Sequence, residues 1–161
     1  MSLNRLRLEK KEPFLEQLTE ATLEEWEVLD KAFFQTQIDF CEMVKNLKGI
    51  DPVKYMTGTR MTTSNEFPME DYFLIKVGEE TVGFVEYNLG ELDSSISSLY
   101  IKEEHRGKGF GGWCINYIKD QAKDKKIKII HIGGYATNKA AIKLYEKLGF
   151  DIYHVAMVAR L

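Results

Sequence analysis

Cysteine is nearly absent from this chain. Cys41 and Cys114 lie far apart and fit neither a Cys-x-x-Cys nor a Cys/His spacing. That excludes a disulfide framework and a thiolate metal site, and it predicts two free thiols in a reducing cytoplasm. Histidine is equally sparse: His105, His131 and His154 are too scattered to hold a metal ion, so no metal is expected. No apolar run approaches the roughly 20 residues of a membrane span. The start, "MSLNRLRLEKKEP", is charged and lacks the apolar centre of a secretory leader. A dense basic block is missing too; "KDKKIKII" at 123–130 comes nearest and reads as a helix end running into a strand. With a formal net charge of -3, neither nucleic acid nor a membrane is expected as a partner. The phosphate-loop pattern G-x-x-x-x-G-K-[ST] does not occur.

The 161 residues, 44% apolar and 29% charged, suit one domain spanning 1–161 with a proper core. Residues 3–10 alternate Leu6 and Leu8 with Arg5 and Arg7, a short half-buried strand. Pro13 then opens a helical region. Thr22 and Glu25 fit a capping box, and Leu23, Trp26, Leu29 and Phe33 follow at helical spacing. A second helix is predicted over 38–47 and a long loop over 50–69. The period then changes. Residues 71–78 and 81–90 read as an antiparallel hairpin turning at "EE", and 95–101 as a third strand. A helix over 107–126 puts Phe110, Trp113, Cys114, Tyr117 and Ile118 on one face. A strand over 127–136, a helix over 138–149 and strand character over 150–161 complete the order. Asn138 is placed to cap that last helix, and Gly149 to end it. The fold class is α/β with a mixed sheet: the hairpin is antiparallel, and the strand–helix–strand unit at 95–136 is parallel.

The chemistry concentrates in "HRGKGFGG" at 105–112, where Gly107, Gly109, Gly111 and Gly112 stand among basic groups. A glycine loop leading from a strand into a helix start is an anion site, because its free N–H groups and the helix dipole both favour negative charge. Lys108 adds a positive charge. Two ligands share the pyrophosphate this implies. Gly107-x-Gly109-x-x-Gly112 formally matches the dinucleotide fingerprint. That reading needs its first glycine directly after the strand and a carboxylate at the end of the next one. Here "KEEH" and Arg106 intervene, and the next strand ends in Gly133-Gly134-Tyr135.

Arg106-x-x-Gly109-x-Gly111 instead matches the Arg/Gln-x-x-Gly-x-Gly/Ala loop of acyl-CoA enzymes. "LYIKEEHRGKGFGGWCINYI" resembles the acetyl-CoA segment of the GNAT superfamily of N-acetyltransferases, and "NKAAIKLYEKLGF" resembles the segment that follows it there. The pair covers 95–150. The resemblance implies a GNAT-like fold and direct attack of a neutral amine on the thioester of acetyl-CoA, its co-substrate. It implies that the backbone at Leu99 and Ile101 meets the pantetheine arm. It further implies that Arg106, Gly107, Lys108, Gly109, Phe110, Gly111 and Gly112 surround the pyrophosphate, and that Asn138 and Ala141 contact the cofactor. Tyr145 matches the tyrosine that protonates the departing thiolate. Asn138 and Tyr145 are two helical turns apart and share a face. A phenol, with a reference pKa near 10, holds its proton until a thiolate, near 8.5, is formed.

An amine of pKa near 10.4 is neutral in only about one molecule in 2500 at pH 7, so a base or a water chain is required. The positions where family members carry a glutamate are Gly133 and Ser95 here. Glu86 is the candidate general base, with His131 and Tyr135 behind it. The acceptor, a small-molecule or peptide amine, would be met by elements within about 14–70. Glu24, Glu25, Glu27, Asp30, Glu66, Glu70 and Asp71 could attract a cation there or form a solvated face, and Tyr55 and Phe67 could wall a pocket or pack. A non-catalytic acyl-CoA-binding or regulatory module is the alternative, against which Tyr145 argues. A homodimer is expected by analogy with the family.

Overall fold

Two strands, β2 (Tyr72–Val77) and β3 (Glu80–Leu89), pair antiparallel around the two-residue turn Gly78-Glu79. Gly78 takes φ +64°, the left-handed value that tight hairpin turns demand. The turn thus sits one residue before the predicted one. β4 (Ser94–Ile101) adds antiparallel to β3, and β5 (His131–Ile132) adds parallel to β4. β1 (Pro13–Gln17) pairs antiparallel with β2, so among the described residues five strands run in the order β1-β2-β3-β4-β5. The computed structural model describes residues 11–41, 49, 51, 54, 68–91 and 94–157.

Side chains alternate across the sheet. Ile75, Val82, Val85 and Ile96 face α2 (Phe110–Asp124), where they bury Cys114, Ile115 and Ile118. Leu144, Tyr145 and Leu148, from α3 (Lys139–Lys147) and its C-cap, pack on the same cluster. Tyr72, Leu74, Phe84 and Tyr100 face the opposite way and meet Trp26, Leu29 and Phe33 of α1 (Leu23–Phe40). Trp26 stands edge-on to Tyr72 at 5.2 Å, and Phe33 edge-on to Phe84 at 5.5 Å. Helices thus cover both faces of a mixed sheet, as the strand and helix order implies.

Several local expectations are corrected. Pro13 begins a strand, not a helix. Its missing N–H is tolerated at the start of an edge strand, and residues 13–17 gain a full ladder with 73–77. The capping box lies three residues earlier, at Thr19 and Thr22, where the Thr19 N–H donates to Thr22 Oγ1 at 3.0 Å. Ile38 belongs to the last turn of α1 rather than to a second helix. β5 is two residues long instead of the ten of 127–136, and 150–157 have no regular structure. The strand predicted over 3–10, the remainder of the 38–47 helix, most of the 50–69 loop and residues 158–161 lie outside the described residues. At α3 the reading holds: the Asn138 side chain accepts from Ala141 N at 3.1 Å, and Gly149 follows with φ +85°.

Candidate functional site

β4 carries one residue too many for its partner. Glu86 pairs with Ser98, whereas Tyr87 pairs with Ile96, so Ser97 bulges out of the ladder. On its other side β4 meets β5 only at Ser95–His131 and Ile96–Ile132. Beyond these pairs the two parallel strands part. A cleft of about 310 Å³ lies over these pairs, lined by Ser95, Ile96 and Ser97 from β4, His131, Ile132 and Gly133 around β5, and Tyr153. The rings of His131 and Tyr153 lie 5.2 Å apart.

From Ile101 the chain turns through a short 3-10 segment, Glu103–His105, into the glycine loop. Gly107 and Gly109 adopt φ +73° and +91°, and nothing stands within 4 Å of where a Cβ would be on either. Gly109 is the N-cap of α2. The first amide bonded within the helix is that of Trp113, to Gly109 O at 2.9 Å. The first-turn amides of Phe110, Gly111 and Gly112 therefore have no helical acceptor and point out of the helix start. At Gly111 and Gly112 a Cβ would be 3.6 and 3.7 Å from Leu144 of α3, an ordinary packing distance.

Basic groups frame the loop. Arg106 donates through Nε to Ile101 O at 3.0 Å, and its guanidinium lies 5.7 Å from the centre of the Tyr100 ring. Lys108 is exposed beside the open amides. His105 Nε2 sits 3.0 Å from Glu80 Oε1 at the start of β3, in a geometry that forms no hydrogen bond.

α3 brings its residues to the same end of the sheet. Thr137 Oγ1 donates to Phe40 O, tying the start of α3 to the end of α1. Tyr145 is half-buried next to Phe150, and a Cβ on Gly134 would be 3.6 Å from its ring. Burial raises the Tyr145 pKa, which favours the protonated phenol. Leu99 and Ile101 pair with Val85 and Gly83 on the β3 side. Of the sequence candidates, the structure gathers Ile101, residues 106–112 and α3 around one end of β4. The Ile101 carbonyl is already engaged by Arg106, and the Ala141 amide by Asn138.

Glu86 lies on the α1 side of the sheet, half-buried, where Ser98 Oγ donates to its Oε2 at 2.7 Å. Ser97 and Ser98 were not singled out from the sequence. Their signal is the spacing of Ile96 and Leu99: both pack on the α2 side, three positions apart, which a regular strand cannot do. Of the acidic candidates, Glu25 is 3.7 Å from Lys76 Nζ, and Asp71 accepts from Asn88 Nδ2 at 3.1 Å. Glu24 and Glu27 are exposed. Tyr55, Glu66 and Phe67 lie outside the described residues. Both cysteines are free. Among the described residues no helix is long and apolar enough to cross a membrane.

A mixed sheet with helices on both faces, parting parallel strands and a glycine loop at a helix start together define the acyl-CoA N-acyltransferase class of fold. The sequence model of the acetyltransferase (GNAT) family matches residues 24–150, and the chain belongs to that family. An uncharacterized N-acetyltransferase of Methanocaldococcus jannaschii is 27% identical over 89 residues, 51% of this chain and 39% of its own length. The chain spans less than half the length of the curated relatives it matches. The YycN protein of Bacillus subtilis superposes with a TM-score of 0.70 at 19% identity, covering 93% of this chain and 99% of its own. The PaiA N-acetyltransferase of Thermoplasma acidophilum, solved with coenzyme A, gives 0.69 at 16% identity, covering 90% and 93%.

Proposed function

We propose that this chain is an acetyl-CoA-dependent N-acetyltransferase that acts in the cytoplasm on a primary amine of a small molecule or peptide. The observation that carries the reading is the set of open amides at the start of α2, which the chain reaches from the end of β4 that does not pair with β5. Family membership and the coenzyme A complex of a structural neighbour support it. They also disfavour the non-catalytic alternative.

The residues present fit the co-substrate. Gly107 and Gly109 leave their backbone uncovered, the first-turn amides lack acceptors, and Arg106 and Lys108 supply positive charge for a pyrophosphate. Leu99 and Ile101 would hold the pantetheine arm through their backbone, with Asn138, Ala141 and Tyr145 along α3 on its other side. When bound, acetyl-CoA supplies an acetyl group activated as a thioester. Glu86 removes the proton from the incoming amine. Tyr145 donates its phenolic proton to the departing sulfur, and its burial keeps that proton in place beforehand.

Calorimetric titration with acetyl-CoA, with NAD as control, tests the reading. Micromolar binding of acetyl-CoA alone is expected, weakened at least ten-fold in Gly111→Val, whose branched side chain crowds Leu144 and the neighbouring amides. Turnover against a panel of primary amines follows. Binding of neither nucleotide, or unchanged affinity in a folded Gly111→Val protein, overturns the assignment.

A further inference from the structure

Ile96 packs on the α2 side of the sheet, so in a regular strand Ser98 would point to that side as well. The bulge at Ser97 reverses this. It turns Ser98 to the α1 side, opposite Glu86, and returns Leu99 to the α2 cluster. The same irregularity that accompanies the parting of β4 from β5 thus creates the contact between Ser98 Oγ and Glu86 Oε2, 2.7 Å long. Ser97, the next residue along, lines the cleft, and its hydroxyl lies 3.4 Å from that of Ser95.

We propose that Ser98 is a positioning residue for Glu86: by donating to Oε2 it orients the carboxylate, so that Oε1 takes the proton of the acceptor amine. The proposal rests on the acetyltransferase reading above. In the step, an N–H bond of the ammonium breaks and an O–H bond forms at Oε1, directly or through one water. The electron pair stays on nitrogen for attack on the thioester. A glutamate side chain has several free torsions, and a charge-assisted hydrogen bond at this distance removes most of that freedom. Misplacing a base by an ångström is enough to cost one to two orders of magnitude in rate, roughly ten- to hundred-fold.

The test is a double-mutant cycle in the full chain, reading kcat, the KM for acetyl-CoA and calorimetric acetyl-CoA affinity with the best amine of the panel. Ser98→Ala should lower kcat about ten-fold or more with KM and affinity for acetyl-CoA unchanged, and Ser98→Thr, which keeps the hydroxyl, should restore it. In a Glu86→Gln background, Ser98→Ala should cost nothing further, because Ser98 acts only through that carboxylate. A Ser98→Ala enzyme with full kcat overturns the proposal. So does a loss that simply multiplies that of Glu86→Gln, which would make Ser98 independent of Glu86. A Ser98→Ala protein that loses acetyl-CoA binding also overturns it, since the residue would then be structural. A wild-type chain that binds no acetyl-CoA overturns the acetyltransferase reading itself and is told apart by the calorimetry.

Discussion

Lys119, in the middle of α2, donates through Nζ to Leu148 O at 2.5 Å and lies 5.5 Å from the centre of the Phe150 ring. One ammonium thus satisfies a carbonyl at the C-terminus of α3, where the helix dipole favours positive charge, and joins the two helices that flank the glycine loop. Lys119→Met keeps most of the aliphatic stem and removes the charge and the donor. It should lower stability by about 1–2 kcal/mol. Thermal unfolding should register this as a fall in Tm of several degrees, and an unchanged Tm would show that the contact is idle.

Gly83 sits where β3 passes closest to β4. A Cβ added there would be 2.0 Å from Tyr100 O, a backbone atom that cannot swing aside. Gly83→Ala must therefore push the two strands apart. Overpacking of this kind costs about 1–3 kcal/mol or more, and it falls on the strand that carries Ser97 and Ser98. Denaturant titration should record a lower midpoint for Gly83→Ala, whereas Gly133→Ala, whose Cβ would meet nothing within 4 Å, should be near neutral.

Tyr145→Phe removes the phenolic proton and keeps the ring that packs on Phe150. Turnover should fall roughly 10²-fold with acetyl-CoA affinity nearly intact, as expected for a general acid. Because burial raises the Tyr145 pKa, ionisation of this group should not depress wild-type turnover anywhere between pH 7 and its ordinary pKa, 10.0. A rate profile that drops in that range for the wild type but not for Tyr145→Phe would show Tyr145 ionising there, contrary to its raised pKa.

Burial pushes the Cys114 thiol from 9.0 up to about 12, and burial together with nearby Tyr117 and Cys114 pushes Tyr87 from 10.0 up to about 12. Both groups keep their protons in the folded chain at pH values where the unfolded chain has lost them. Their contribution to stability is therefore complete below pH 9 and drains away as the pH rises toward 12. Melting temperature should decline steadily over that interval, less steeply in Cys114→Ala. In the native protein at pH 8 an aromatic disulfide reagent should modify the half-exposed Cys41 and spare Cys114 until denaturant is added.

Much of the candidate site could be read in one dimension because its signals are local. Gly107 and Gly109 are needed for left-handed backbone within a single loop. The Asn138 cap reaches only three residues ahead, and Asn138 and Tyr145 share a face through helical periodicity alone. The hairpin of β2 and β3 is local for the same reason. Other features depend on partners distant in the chain. Residues 13–17 form a strand because 73–77 offer them a ladder, and no propensity near Pro13 announces that. The apolar run at 127–136 has the composition of a long strand, yet β5 pairs with β4 over only two residues. The contact between Ser98 and Glu86 follows from the bulge at Ser97. The sequence by itself determined the anion loop, its helix and the cap of α3, all set by backbone preferences within a few residues. The tertiary structure alone decided where β4 leaves β5 and which carboxylate meets a hydroxyl there. Register between strands is a balance of packing on both faces of the sheet, and no single segment contains it.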